Sequence, residues 1–423
     1  MKYQNWSASK KIFFRFFFVY LFIYAFPFPF DSFEFTTPVA KPVYNFLDFI
    51  IPLIGQNWFH LHVKTAFPLF DKVDDSNYGL VFLYTNLIVS IIITFIWTLA
   101  DHSRANYEKL YRWLRLYLRY FLAAYLFGYG FIKIFPSQFQ SITASRLIMS
   151  VGDQAPMLLA WNFMGYSRVF QMFMGITEVI AGLMLLFRRT TTLGAILSSA
   201  TFGFVALMDF CFNVPVRLLA LHLLFISLFL TFDDIKRLRN VFLFNKPANP
   251  VPYTFLITKP IWRKILLGLQ ALYGISILFK TITESAAGAK TFGQDAPHGP
   301  LYGVYNATWF IQNSDTLAPL DTDSLRWKRF VIDGGNWHQS GIIQLNTDKY
   351  IFCNITVDTV KQILSVQSQA DTTEKYSLQY FLPDSSHLRL EGLWKKDSIK
   401  VLMSKYDLNN YLLHREKFTW IKE

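Results

Sequence analysis

The hydrophobic pattern divides the chain into two parts. Up to residue 283, apolar runs close to 20 residues long recur near 12–30, 80–100, 116–135, 161–187, 191–211, 215–232 and 262–283. That is the length at which a helix crosses the hydrocarbon core of a bilayer, so the pattern predicts seven transmembrane helices. After residue 300 the period shortens. Runs such as "YGVYNATWFI", "RWKRFVID", "GIIQLN", "YIFCNITV", "HLRLEGLW", "SIKVLMSKY" and "FTWIKE" are rich in β-branched and aromatic residues, and turn formers such as "LPDSS" and "KKDS" bound them. They predict eight or nine antiparallel strands in a barrel or sandwich. Between the two parts, "ESAAGAKTFGQDAPHGP" is rich in Gly, Ala and Pro and has no apolar periodicity, which predicts a linker. The expected organisation is a transmembrane domain over 1–283, a linker over 284–300 and an all-β domain over 301–423.

One stretch fits neither pattern. "VYNFLDFIIPLIGQNWFHLHV" in the first long loop is apolar and aromatic but contains Pro52 and Gly55. It reads as a segment lying along the membrane surface, too broken for one clean span.

Charge orients the helices. The formal net charge is +12, which in a soluble chain would suggest a nucleic-acid partner. From Leu301 onward, however, fourteen basic residues balance fourteen acidic ones, so twenty-seven of the 41 basic and fifteen of the 29 acidic residues precede it. The excess belongs to the membrane part, and no nucleic-acid role follows. Basic clusters lie before span 1 (Lys2, Lys10, Lys11), after span 2 (Arg104, Lys109, Arg112, Arg115), after span 4 (Arg188, Arg189) and between spans 6 and 7 (Lys236, Arg237, Arg239, Lys246, Lys259, Arg263, Lys264). In a seven-span arrangement all four fall on one side, which the positive-inside rule makes cytoplasmic. The loops 31–79 and 136–160 carry only Lys41, Lys64, Lys72 and Arg146 as basic residues. The N-terminus is then expected inside, uncleaved because no small-residue site follows its apolar run. The C-terminal domain is expected in the periplasm of a Gram-negative cell. Two cysteines, Cys211 and Cys353, stand in no CxxC or zinc spacing, so neither a disulfide framework nor a metal motif is argued.

Within the spans, polar residues form a pattern of their own. Arg168, Gln171, Gly175, Glu178 and Gly182 recur at helical spacing on a stripe roughly 80° wide, a face that should point into a bundle. Arg168 and Glu178 are separated by about 15 Å of helical rise and cannot pair with each other. Lys133, with Tyr125 and Tyr129 before it, and the hairpin Asp209–Asn213–Arg217–His222 are the candidates to meet them. Asp209 and Arg217 are expected to face each other as a charge pair across the turn "CFNVP", with Asn213 beside them. Glu178 and His222 are the candidate proton-exchanging groups, since an ionisable side chain within a span suggests function by default. A structural reading stands beside each: a clamped hairpin for Asp209 and Arg217, and a hydrogen bond to a neighbouring helix for His222. Asn86, Ser90 and Thr94 stack at helical spacing and are expected to join helices.

The blocks "RYFLAAYLFGYGFIKIFPSQF", "GDQAPMLLAWNFMGYSRVFQMFMGITEVIAGLMLLFRRTTTLGAIL" and "DFCFNVPVRLLALHLLFISLFLTFDDIKRL" together resemble the DoxX family of bacterial membrane proteins, in the larger form with extra helices and an outer β-domain. The resemblance implies a four-helix core over about 112–235. It also implies a bacterial inner-membrane protein that serves as a quinone-linked redox subunit, beside a redox partner protein; the direction of the spans by itself places Asp209, Asn213, Arg217, Lys133 and Arg168 in a polar pocket in the outer half of the bundle. Where family members tend to carry Asn, Asp and Lys, this chain has Asp209, Asn213 and Arg217. Two other readings stay open: a non-catalytic scaffold that presents the β-domain, and a binder of a small lipid or isoprenoid. The residues themselves argue for no metal ligand set.

The topology is directly testable. Alkaline phosphatase fused after Glu423 should be active, and a fluorescent protein fused there should stay dark; the reverse result would invert the orientation.

Overall fold

The computed structural model describes residues 5–64, 74–101, 103–248, 257, 259–333, 340–371 and 373–416. The expected strand at 418–423, with Trp420, and Trp337, Lys2 and Lys72 lie outside the described residues. The chain forms two compact units, one from residues 1–134 and 173–284, the other from 135–172 and 285–423.

The helices are α1 (Ala8–Ala25), α2 (Thr37–Phe59), α3 (Asn77–Ala100), α4 (Glu108–Ile134), α5 (Ala144–Ile148), α6 (Pro156–Tyr166), α7 (Arg168–Leu186), α8 (Thr191–Cys211), α9 (Arg217–Thr231), α10 (Ile235–Phe242) and α11 (Pro260–Thr291). Among the described residues, five stretches are long and apolar enough to cross a membrane: Asn77–Ala100, Arg168–Leu186, Thr191–Cys211, Arg217–Phe242 and Pro260–Thr291. The expected spans 12–30 and 116–135 fall on α1 and α4, which are not among the five. α1 carries Lys10, Lys11 and Arg15, and α4 carries Arg119, Lys133 and five tyrosines, all of which lower the apolar character.

Three further expectations need correction. The run 161–187 is two helices, because Ser167 leaves the helical region (φ −109°, ψ 107°) and its hydroxyl accepts from the Phe170 N–H, capping the start of α7. The segment holding Pro52 and Gly55 is an unbroken helix, α2, with Pro42 and Pro52 inside it, and it ends where His60 turns left-handed (φ 53°). Its stripe Val39, Phe46, Phe49 and Leu53 is exposed. Finally, the Ala-rich half of the expected linker continues α11 to Thr291; Ala has the highest intrinsic helix propensity.

In the first unit, buried cations are matched to oxygen atoms. The Arg15 guanidinium donates to Tyr107 Oη, Thr98 Oγ1 and the Asp101 carbonyl. Arg119 donates to the Leu185 and Leu186 carbonyls, which the end of α7 leaves without helical donors. Asn86, Ser90 and Thr94 are buried on one face of α3. Asn86 Nδ2 donates to the Tyr20 carbonyl of α1 and Ser90 Oγ to Asn86 Oδ1, so this stack joins helices as its spacing predicts.

The second unit is built on strands β1 (Gly303–Gln312), β2 (Asp315–Thr316), β3 (Trp327–Asp333), β4 (Ser340–Leu345), β5 (Tyr350–Asp358), β6 (Ile363–Ser368), β7 (Lys375–Asp384), β8 (His387–Trp394) and β9 (Asp397–Tyr406), followed by the short helix α12 (Leu412–Arg415). Every pairing is antiparallel, and β1 also pairs β9, from Val304 with Tyr406 to Gln312 with Ile399. Eight strands close into a barrel, with β2 a short addition to β1; closure leaves no long edge exposed. Alternate residues fill the interior, among them Phe310, Trp327, Phe330, Leu364, Leu388 and Val401, all essentially inaccessible. Trp394 packs edge-on against Trp327, ring centroids 5.0 Å apart, while Trp309 is exposed. Outside the barrel, Ala144 and Ile148 of α5 cover Val304, Val331 and Ile342. The Ser145 N–H donates to both Asp333 carboxylate oxygens (3.1 and 3.0 Å). Burial pushes the Asp333 carboxyl above its usual range, and those hydrogen bonds only partly offset it.

Burial also pushes the Cys353 thiol up to about 12, whereas Cys211 is exposed. A maleimide at pH 7.5 should therefore modify Cys211 and spare Cys353 until the protein is unfolded, and Cys211→Ser should abolish labelling of the native chain. Labelling of Cys353 in native protein, read by peptide mass, would contradict the closed barrel.

Candidate functional site

The site is assembled where α4 and α7 cross. A methyl group on Gly130 would lie 2.9 Å from the Gly175 carbonyl oxygen, and one on Gly175 would clash with the Gly130 carbonyl. Only glycine at both positions lets the two backbones touch, the small-residue packing that joins apolar helices where no hydrophobic force distinguishes helix from lipid. One turn along each helix, Lys133 and Glu178 meet. Lys133 Nζ donates to Glu178 Oε2 at 2.9 Å and to the Tyr129 carbonyl at 3.3 Å, and it lies 5.4 Å from the Tyr129 ring centre. Both side chains are about 95% buried. A pair this secluded is stable only because each charge compensates the other.

The turn between α8 and α9 supplies the second set. Asn213 adopts φ 54°, and the Val214 N–H closes the turn on the Asp209 carbonyl at 2.9 Å. The expected Asp209–Arg217 pair is not formed. Arg217 Nε donates to Asp75 Oδ2 at 2.7 Å, and the Arg217 and Leu218 backbone N–H groups donate to the same carboxylate at 3.1 and 3.0 Å. Asp75 therefore caps α9 from a distant part of the chain, where both the free N–H groups and the helix dipole favour a negative charge. Asn213 does lie beside Arg217, accepting from its Nη1 at 3.2 Å. Asp209 is left 1% exposed, with Oδ2 lacking any hydrogen-bond partner. Asp75, Lys133 and Arg217 are its charged neighbours, and Tyr129 is within electrostatic reach of both Asp209 and Glu178.

His222 stands apart from that set. Its Nδ1 bonds the Leu218 carbonyl at 2.6 Å and its Nε2 the Tyr20 hydroxyl at 2.7 Å. The ring stacks on Tyr24 with centroids 4.3 Å apart. A carbonyl can only accept, so Nδ1 carries the proton and Nε2 accepts from Tyr20. Both nitrogens are occupied, as the structural reading of a helix-bridging histidine requires. The Tyr24 hydroxyl, by contrast, is buried without a partner.

The remaining candidates fall elsewhere. Arg168 is half exposed and makes a bidentate pair with Asp295 at 2.7 and 3.1 Å. Gln171 is fully buried and accepts from Gln294 Nε2, which also donates to the Phe139 and Gly165 carbonyls. Both belong to the barrel-containing unit. The expected stripe lies wholly on α7, yet Gly175, Glu178 and Gly182 fall in the helical unit while Arg168 and Gln171 do not. Sequence reasoning missed Asp75, although its place just before the Ser76 cap of α3 gave a local signal. It also missed Asp31, which accepts from Tyr44 Oη at 2.8 Å and is a charged neighbour of Tyr125.

No protein-family model matches the chain, and no solved structure matches it. Over 124 residues it is 32% identical to YwoB of Bacillus subtilis, a protein described as uncharacterized; the match covers 29% of this chain and 79% of that one. The chain belongs to the family of that Bacillus protein. The membership extends over the matched residues, under a third of this chain, and carries no named activity with it.

The capping role of Asp75 has a measurable consequence. Asp75→Ala strips α9 of its cap and leaves Arg217 without its partner, so stability in detergent should fall by about 2 kcal/mol, with Asp75→Asn intermediate. Exchanging Asp209 with Arg217 should not restore stability in either background, because the acid that holds Arg217 is Asp75. Full rescue by the exchange, in thermal unfolding of the purified protein, would reinstate the direct pair.

Proposed function

We propose that the chain is a DoxX-type protein of the bacterial inner membrane whose helical unit binds the polar head of a membrane-soluble small molecule at Asp209, Tyr129 and the Lys133–Glu178 pair. The observation that carries this reading is Asp209: a carboxylate 1% exposed with an oxygen that no described group satisfies. An unsatisfied polar group costs about 1–3 kcal/mol, and more when charged. A chain that keeps one among apolar helices has a use for it. The reading includes seven spans, a cytoplasmic N-terminus and a periplasmic barrel, supported by the one-sided distribution of basic residues.

The resemblance implies a quinone and a redox partner protein. The residues fit a quinone head in a limited sense. The unpartnered Tyr24 hydroxyl is a donor for a carbonyl oxygen, and Asp209 Oδ2 is an acceptor for a hydroxyl. When bound, a quinone would supply the electron-accepting chemistry; the side chains bind and orient it. Glu178, paired with Lys133, is the weaker candidate for proton exchange, and Asp209 takes its place.

A second reading, a non-catalytic scaffold, is favoured by the pairing of Lys133 with Glu178 and by the two occupied nitrogens of His222. One experiment separates the two. Mass spectrometry of protein purified with native lipid should find one defined small molecule with wild type and lose it with Asp209→Asn. If nothing co-purifies beyond bulk phospholipid, the scaffold reading stands.

A further inference from the structure

We infer that the molecule held at Asp209 carries a positively charged, hydrogen-bond-donating head, a primary ammonium on an apolar chain. This rests on the reading of the cluster as a ligand site and narrows the chemistry of its occupant. The argument is a charge balance. Arg217 is committed to Asp75 and Lys133 to Glu178, both within hydrogen-bond distance. Asp209 and Asp31 form no ion pair among the described residues; Asp209 is the charged neighbour of Tyr129 and Asp31 of Tyr125. With all groups ionised, Asp75, Glu178 and Asp209 set three carboxylates against the two cations Lys133 and Arg217. An anionic head is repelled by that excess, and a neutral hydroxyl would fill the hydrogen bond at Oδ2 while leaving the charge uncompensated. An ammonium satisfies both.

The aromatic groups agree with this assignment. Tyr125 and Tyr129 stack 6.3 Å apart and keep part of their surface uncovered, while Asp209 beside them is covered. Tyrosine rings attract cations to their faces, and the Lys133 ammonium over Tyr129 already uses one ring in that way. The free hydroxyl of Tyr24 has an oxygen able to accept from a second N–H, and Tyr24 is an electrostatic neighbour of both Tyr125 and Tyr129.

The test is calorimetric titration of the full-length protein in a neutral maltoside detergent with octylammonium, octanol, octanoate and a short-chain hydroquinone, each below its micellar concentration. Octylammonium should bind one to one, about tenfold or more tighter than octanol, with no binding of octanoate. Asp209→Asn should weaken octylammonium by about tenfold or more and remove its advantage over octanol. If that variant does not fold, the order of the four probes on wild type decides alone. Octanol or hydroquinone binding as tightly as octylammonium would overturn the ammonium assignment and leave the ligand site standing, whereas Asp209→Asn retaining wild-type affinity for octylammonium would overturn both, because Asp209 carries the site. Preference for octanoate would overturn the charge balance itself. Failure of all four probes on wild type would remove the ligand site together with the inference.

Discussion

A charge buried among apolar helices has to be compensated, and the helical unit is arranged around that requirement. The crossing at Gly130 and Gly175 is the structural condition for the Lys133–Glu178 pair, since a wider approach would separate two side chains that are each about 95% buried. Other cations of the unit are satisfied without an acid: Arg15 by two hydroxyls and a carbonyl, Arg119 by the terminal carbonyls of α7. Arginine suits this use because its five donors spread over several oxygens and its charge cannot be titrated away. Asp75 does the converse at the start of α9, where free N–H groups offer what the last carbonyls of α7 offer Arg119. Helix ends and opposite charges together account for these ions, and Asp209 is the exception.

The barrel meets the same requirement by another route. Its backbone groups are consumed by eight antiparallel ladders that close on themselves, and its interior is a filled apolar core. What polarity it buries is placed at the periphery. Arg326 reaches the Leu317 carbonyl and Asn346, and Asp333 takes the Ser145 N–H. α5 is thereby fastened to the wall of the barrel by one polar anchor and a small apolar patch, which is why residues 135–172 belong with the strands rather than with the helices that flank them in sequence.

Much of this was legible in the chain. Period-two alternation located the barrel strands to within two residues at most ends, since half-buried strands must alternate. Apolar length located the helices, and the Asn86 stack and the inward stripe of α7 followed from helical spacing. What failed was set by tertiary partners. The pairing of Asp209 with Arg217 was inferred from proximity in sequence, and Arg217 instead took an acid 142 residues away. The stripe holds along α7, but its first two polar residues, Arg168 and Gln171, took partners 127 and 123 residues further on, at Asp295 and Gln294, which helical spacing does not reveal. The linker was drawn too long because alanine lacks an apolar pattern while strongly favouring helix. In each case local chemistry allowed two outcomes and a contact from far along the chain chose between them.

The charged cluster also shows why intramembrane ions are poor evidence when counted singly. Glu178 has the depth and burial that would mark it as functional, yet its carboxylate is fully explained by Lys133. His222 has the chemistry of a proton carrier, yet each nitrogen is tied to a neighbour that fixes its tautomer. The quantity that separates structure from function is the remainder after every partner has been assigned. Here that remainder, beside the Thr85 and Thr94 hydroxyls of α3, is the Asp209 oxygen and the Tyr24 hydroxyl, an acceptor and a donor, with two partly uncovered tyrosine rings near them. Phenylalanine in place of Tyr24 would remove the unpaired hydroxyl at nearly the same volume, and asparagine in place of Asp209 would remove the charge, so packing alone accounts for neither.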